Sequence, residues 1–408
     1  MRCTGWHLLV FVFAILLYGC QEGSVSPSVK YWYENIGSNK NLPLLPDSNV
    51  NYFLYSFTRH KGDVIGIRIK GQYGFARYMS FNIYDNNTIS SVGSIVDMHI
   101  HPDDGSVNPY LPASDPDAAN RNYTVNIFPH GSADSAAYPN SLLYDDKLEN
   151  IGIILRYYIP KNDPYASVAL PQIEAFDVNT GGKVATPSPV VTDFDAQFKE
   201  KYKKISLLLG FADLLQDQKN VFFYRFSGLF LYPNLDNYYL FAPITFNKDK
   251  VVMLRLKAPS FPHSNADNSL SDVRYFSFCL CDNQTYTYST TTDLSCKIAD
   301  ADGYINLVIG DEDAALRAKA AGLNYIVLPP ELKNNVKGLI IYRNLLTNPA
   351  FPYSMGLVPD VAQNITLQNL LQISHLQAQT YLSDYAPVGK KMTKAQFLDN
   401  FGGFPVSY

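Results

Sequence analysis

Asp97, His99 and His101 stand at alternate positions in the run Asp-x-His-x-His. On a strand, three such side chains share one face, the way an imidazole–carboxylate metal site is assembled. The blander reading is a half-exposed histidine pair bonding a neighbouring loop. Two oxygen-rich turns offer harder ligands: Asp103-Asp104-Gly105-Ser106-x-Asn108 and Asp300-x-Asp302-Gly303. Asp103, Asp104, Asn108, Asp300 and Asp302 could hold calcium. An Asp-Gly turn also forms without a metal, because Asp bonds its own backbone and Gly supplies positive φ. No other cofactor is expected. The third set is cationic. Arg68, Arg77 and Arg156 sit inside apolar strand-like runs, as do Arg255, Arg274 and Arg343. Charge there is costly unless paired. Arg77, Arg274, Arg156 and Arg343 with Asp85 and Asp282 could bind a carboxylate, a phosphate or sugar hydroxyls. Alternatively, those aspartates or backbone carbonyls pair with the arginines and seal the sandwich edge. No Gly-x-Ser-x-Gly elbow, His-Glu-x-x-His, Walker loop or Gly-x-Gly-x-x-Gly is present.

The arginines come in pairs because the chain repeats itself. Val64–Lys70 returns as Val251–Lys257, and Arg77-Tyr78-Met79-Ser80-Phe81 as Arg274-Tyr275-Phe276-Ser277-Phe278. Tyr123–Ile127 is echoed by Tyr304–Val308, and Ile153–Arg156 by Ile340–Arg343. Offsets between equivalent blocks run from 181 to 197 residues, so block order is kept while loops vary. Two tandem copies of one domain follow. Each copy has short Val, Ile, Tyr and Phe runs bounded by Asn, Asp, Gly and Pro, several alternating inside and outside. That period of two predicts an all-β chain of two similar antiparallel, jelly-roll-like sandwiches, each sheet with one wet face. Helices at βαβ spacing are not expected between the strands. The expected divisions are 46–190 and 221–360 for the sandwiches, 191–220 for a helical linker and 361–408 for C-terminal helices. In the linker Phe198, Tyr202, Ile205, Leu208 and Leu209 would form the apolar stripe. Leu367–Tyr385 reads as an amphipathic helix, and Thr393 as the cap of a final short one.

Arg2 and the apolar run Leu8–Leu17 have the form of an export signal over residues 1–19, too short to span a bilayer. Leu17-Tyr18-Gly19-Cys20 resembles the lipobox of bacterial lipoproteins. The resemblance implies lipidation of Cys20, a tether over 20–45 and, with Gln21, anchoring to a Gram-negative outer membrane. Among the remaining cysteines, only one of Cys279 and Cys281 is expected to face Cys296. Cys279–Cys296 is the expected disulfide, closing a loop of about 16 residues at roughly 3 kcal/mol. Three reduced thiols are the alternative. A net charge of −4 gives no reason to expect nucleic acid.

The repeated Arg-Tyr-x-Ser blocks (Arg77, Tyr78, Ser80, Tyr84, Asp85; Arg274, Tyr275, Ser277, Asp282) resemble the signature of the domain-of-unknown-function 1214 group. Asn324-Tyr325, Leu328-Pro329 and Ile341-Tyr342-Arg343 extend the similarity. The resemblance implies a jelly-roll-like fold and a secreted or envelope location, and no reaction. The reading that joins these features is a non-catalytic envelope lipoprotein binding a glycan, lipid or protein through a Tyr- and Asn-rich face. The alternatives are a hydrolase of envelope glycans or esters, with its site between the copies, and a purely structural component.

Overall fold

A computed structural model describes residues 30–34, 44–132, 135–190, 202–203, 205–206, 209–210, 216, 219–226, 232–264, 270–296, 302–361 and 377–400. The signal, Cys20 and Asp300 lie outside them. The first copy contains β1 (Tyr33–Glu34), β2 (Val50–Thr58), β3 (Ile65–Gln72), β4 (Tyr78–Asp85), β5 (Ser90–Val96), β6 (Asn122–Pro129), β7 (Ser141–Tyr144), β8 (Asn150–Tyr158), β9 (Gln172–Asp177) and β10 (Lys183–Val184). The second contains β11 (Asn220–Val221), β12 (Asn237–Phe246), β13 (Lys250–Lys257), β14 (Tyr275–Asp282), β15 (Thr287–Thr292), β16 (Tyr304–Gly310), β17 (Asn324–Val327), β18 (Val336–Leu345) and β19 (Val388–Thr393).

These strands form two sandwiches of the same plan. In the first, sheet β1-β2-β8-β4-β5 faces sheet β10-β9-β3-β6-β7. In the second, β12-β18-β14-β15 faces β11-β19-β13-β16-β17. The repeat therefore becomes a strand-by-strand correspondence, with Ser80 opposite Arg156 as Ser277 is opposite Arg343. Alternation explains the two cores. Met79, Phe81 and Ile83 point into one with Ile67, Ile69 and Leu155. Phe276, Phe278 and Leu280 point into the other with Leu254, Leu256 and Tyr342. Each such side chain fully removed from water contributes roughly 1.5–3 kcal/mol.

Four features depart from the sequence reading. First, β4, β8, β14 and β18 are buried along almost their whole length on both faces, so those sheets have no wet face there. Second, β6 and β7 pair in parallel, as do β16 and β17, the latter connected through helix α1 (Glu312–Ala320). Asp311 caps that helix, its carboxylate accepting from Ala314 N. Third, β19 comes from the stretch expected to be helical and takes in its sheet the place β9 holds in the first copy. Gly389 is required there: a Cβ would lie 2.5 Å from Val221 Cβ and 2.9 Å from Leu254 Cδ2. Fourth, Cys279 and Cys281 are two apart on β14 and so share one face, packed with Leu45, Phe241 and Ile341. Cys296 belongs to the interior core on the other side of that sheet. All three thiols are free, which overturns the expected disulfide.

Helices otherwise fall at the joints. The described linker residues 202–203, 205–206 and 209–210 are helical; Ile205 and Leu209 of the expected stripe are buried, whereas Tyr202 is exposed. Phe198 and Leu208 lie outside the description. Of the predicted Leu367–Tyr385 helix, α2 (Ala378–Leu382) and a 3-10 turn at Ser383–Tyr385 are described. Helix α3 (Lys394–Asn400) begins with the expected cap. Thr393 Oγ1 accepts from Gln396 N at 3.2 Å, and Gln396 Oε1 accepts from Thr393 N at 3.0 Å. No helix among the described residues is long and apolar enough to cross a membrane.

A reciprocal arginine seam and a candidate anion-binding cleft

The repeated arginines build the seam between the sandwiches. Arg77, just before β4, pairs with Asp293 just after β15 at 2.7 Å, both fully buried. Arg274, just before β14, pairs with Asp97 just after β5 at 3.2 Å. Each aspartate also accepts from its own copy's backbone, Asp97 from Met79 N and Asp293 from Phe276 N. The two bridges are thus one bridge drawn twice about a pseudo-twofold. Tyr158 and Tyr275 meet edge to face between them, 5.3 Å apart.

Two exchanged arms complete the seam. Leu45-Pro46-Asp47, between β1 and β2 of the first sandwich, lies on the second; Tyr232-Pro233-Asn234, between β11 and β12 of the second, lies on the first. Leu45 and Tyr232 both take left-handed backbone, with φ of 50° and 52°. The Leu45 carbonyl accepts from Arg343 Nη2 at 2.6 Å, and the Tyr232 carbonyl from Arg156 Nη2 at 2.9 Å. Asp47 Oδ2 accepts from Ser277 Oγ at 2.6 Å and Tyr275 OH at 2.8 Å, 3.8 Å from Arg343 Nη1. On the other side Arg156 donates to Asn82 Oδ1 and, at 2.7 Å, to Tyr84 OH.

The other sequence candidates are turn-formers. Asp85 accepts from Asn87 N and Thr88 Oγ1, and Asp282 from Gln284 N, Tyr286 N and Tyr288 OH, so neither pairs with the arginines. Asn108 is buried and spent on Asp97 O, Ile100 O and Tyr110 N. Asp103 accepts from Thr124 Oγ1, while Asp104 and Asp302 are exposed and apart. Asp97 and His99 form a 3-10 turn rather than a strand, so Asp97 faces inward while His99 and His101 are exposed. No cluster of three or more metal-ligating side chains occurs among the described residues. Tyr55, Tyr73, Tyr78, Tyr84, Tyr123 and Tyr157 are all interior, and burial raises the pKa of each hydroxyl.

One site lay outside the sequence candidates. Arg121 immediately precedes β6, and its carbonyl accepts from Tyr73 N where β3 ends. The guanidinium lies 3.6 Å from the centre of the Phe75 ring, and Lys161 Nζ sits 5.5 Å from the same ring. Arg121 is only 3% exposed. Nη2 donates to Pro116 O at 3.3 Å, while buried Nε and Nη1 have no hydrogen-bond partner. Burial lowers the Arg121 pKa from its ordinary value, opposed by Tyr110, Asp117 and Asp115. Phe75, Arg121 and Lys161 line a cleft of about 80 Å³ with Gly74, Pro109, Tyr110 and the carboxylate-bearing Asp117. Gly74 keeps the loop close: a Cβ there would stand 2.5 Å from the Tyr157 ring and 2.9 Å from Ala166 Cβ. Tyr110 OH secures it by donating to Gly74 O at 2.7 Å. Such a cleft can hold an oxyanion of a few heavy atoms. The signal in the sequence is a break in the repeat: Arg121 stands two residues before Tyr123, and Asp302 two before Tyr304.

Comparison with known proteins adds the fold alone. No family model and no curated protein sequence matches the chain. Among solved structures, an uncharacterised protein from Burkholderia cenocepacia is similar at a TM-score of 0.52 and 11% identity, covering 78% of this chain and 79% of its own. That coverage exceeds either sandwich, so the likeness spans both. An anti-sigma factor domain-containing protein matches over 77% of this chain and 81% of its own, at a TM-score of 0.20 and 6% identity, too distant to carry an argument.

Proposed function

We propose that this chain is an exported envelope lipoprotein that binds, without turning it over, a small ligand bearing a carboxylate or phosphate in the Arg121 cleft. The observation that carries the reading is the Arg121 guanidinium, buried with two of its three nitrogens unpaired. A buried guanidinium short of acceptors is costly, and an oxyanion would supply acceptors for Nε and Nη1 and add to the partial counter-charge of Asp117 and Asp115. Phe75 fixes the guanidinium plane by stacking, which reduces the ordering cost of binding. Lys161 adds a second, exposed cation at the rim, where it also pairs with Asp117 at 3.7 Å. The lipobox-like Leu17-Tyr18-Gly19-Cys20 supports anchoring through Cys20, and the repeated Arg-Tyr-x-Ser blocks support kinship with the domain-of-unknown-function 1214 group.

Calorimetric titration with inorganic phosphate and with acetate tests the site. Wild type should bind at least one of them. Arg121→Met should lose at least tenfold in affinity with an unchanged Tm, and Lys161→Gln only about two- to threefold, as an exposed charge does. Equal binding by Arg121→Met would dispose of the site. For the anchor, labelled palmitate should enter wild type and not Cys20→Ser; an unlabelled wild type ends that part of the reading.

A further inference from the structure

The Arg121 cleft has a counterpart in the second copy. Arg77 corresponds to Arg274, and the same two backbone bonds close the corner beside each. In the first copy Arg77 N donates to Tyr158 O and Lys161 N to Phe75 O. In the second Arg274 N donates to Leu345 O and Asn348 N to Asp272 O, all four bonds lying between 2.7 and 2.9 Å. Lys161 thus corresponds to Asn348, and Ala76 to Val273. Ala76 and Lys161 line the Arg121 cleft; Val273 and Asn348 line a cleft of about 120 Å³ at the equivalent corner.

The two corners differ in chemistry. Arg121, Lys161 and Asp117 all line the first, whereas Arg274 is the one charged residue lining the second among the described residues. Arg274 Nη1 donates to Asp97 Oδ1 at 3.2 Å and to the Arg77 carbonyl at 3.3 Å. Its Nη2 meets only the thioether of Met98 at 3.8 Å, a weak acceptor. The Arg274 side chain is 13% exposed and that of Asp97 is fully buried. This guanidinium already has its counter-charge, so the corner is short of a hydrogen-bond acceptor and not of a charge. A ligand carboxylate would meet Asp97 across the same guanidinium, and like charges at that range repel. Met98 and Leu346 pack together beside Arg274, and Leu270 stands exposed at the rim. An apolar cavity of about 150 Å³ takes one benzene, so this cleft has room for a group of about five carbons.

We propose that this corner binds a small uncharged aliphatic amide, its carbonyl oxygen accepting from Arg274 Nη2 and its branched chain lying against Met98, Leu346 and Leu270. Ligand-observed NMR titration of the full chain with isovaleramide should show binding at one site. Isovalerate, the same shape carrying a charge, should bind at least about fivefold more weakly. Propionamide, two carbons shorter, should bind about 15-fold more weakly, at roughly fourfold per carbon. Arg274→Lys keeps a charge for Asp97, removes the Nη2 donor and should lose about tenfold. Leu270→Ala, on the exposed rim where folding is not at stake, should lose about threefold. Asn348→Lys gives this corner the first cleft's cation and should turn the preference to isovalerate. Arg121→Met should leave isovaleramide binding unchanged, so the two clefts fail separately. The proposal is overturned if isovaleramide does not bind, or if isovalerate or propionamide matches it on wild type. Full affinity in both Arg274→Lys and Leu270→Ala, or loss of isovaleramide binding in Arg121→Met, would overturn it as well.

Discussion

Arg156 and Arg343 occupy equivalent positions in the two sandwiches, yet they are balanced differently. In the first copy the neighbours along β4 are Asn82 and Tyr84, both of which accept from Arg156. In the second their equivalents are Cys279 and Cys281, whose thiols turn to Thr290 and Thr287. Burial pushes the Cys279 thiol up to about 11, so it stays neutral and offers Arg343 no counter-charge. The arm makes up the difference. It brings the carboxylate of Asp47 to within 3.8 Å of Arg343, whereas at the equivalent corner Asn234 takes that position and the carboxylate is that of Asp236, two residues on, which accepts from Tyr78 OH at 2.6 Å. What is preserved is the balance of each site, since a buried guanidinium must find its acceptors somewhere.

Breaking the seam should show this ordering. Arg77→Met leaves Asp293 buried and uncompensated and should cost about 3–5 kcal/mol in urea unfolding. Arg77→Met/Asp293→Leu should recover most of it, and a double variant no better than the single would mean that the pair is more than a charge balance. Asp47→Asn should cost about 2–4 kcal/mol through Tyr275, Ser277 and Arg343. Asn234→Ala, at the matching position of the other arm, should cost less, about 1–2 kcal/mol, because Arg156 is bonded by Asn82, Tyr84 and the Tyr232 carbonyl. Equal losses at the two corners would erase the contrast.

The seam also carries a pH signature. Burial, outweighing Arg77, raises the Asp293 pKa to about 6. An unfolded Asp titrates near 4, so between about pH 4 and 6 the folded chain binds the extra proton. This residue's contribution is therefore greatest below about pH 4 and falls as pH rises to 6. Asp293→Asn should flatten that slope by up to about 1.4 kcal/mol per pH unit. An unchanged slope would remove Asp293 as the cause. The smallest effects belong to the turns. Asp282→Ala should cost about 1–2 kcal/mol, since Asp282 is buried with three donors, and Asp85→Ala about 0.5–1.

Much of the architecture was legible in the residues. The runs Tyr78–Tyr84 and Gly338–Leu345 fall on β4 and β18 because strand patterning is local. Thr393 caps α3 for the same reason, through bonds that reach only three residues. The site was less legible. Arg77 reads as a charge in need of a partner, but Asp293 stands 216 residues away and nothing in the spacing points to it. The adjacent Asp85 was the natural local guess and proved to hold its own turn. Arg121 sits in a loop and breaks the repeat, so neither strand periodicity nor self-similarity marks it.

The order of residues determined that there are two like sandwiches, which side chains of each strand enter the cores, and where the turns fall. Those follow from a period of two, from Gly and Asp at corners, and from self-similarity. Tertiary structure alone decided that the outer faces of β4 and β14 are covered, that the arms are exchanged, and that β19 closes the second sandwich. It also decided which carboxylates Arg77 and Arg274 meet, and that Arg121 lines a cleft. The reason is that pairing depends on distance in space, and burial on what another part of the chain places overhead; neither quantity has a period.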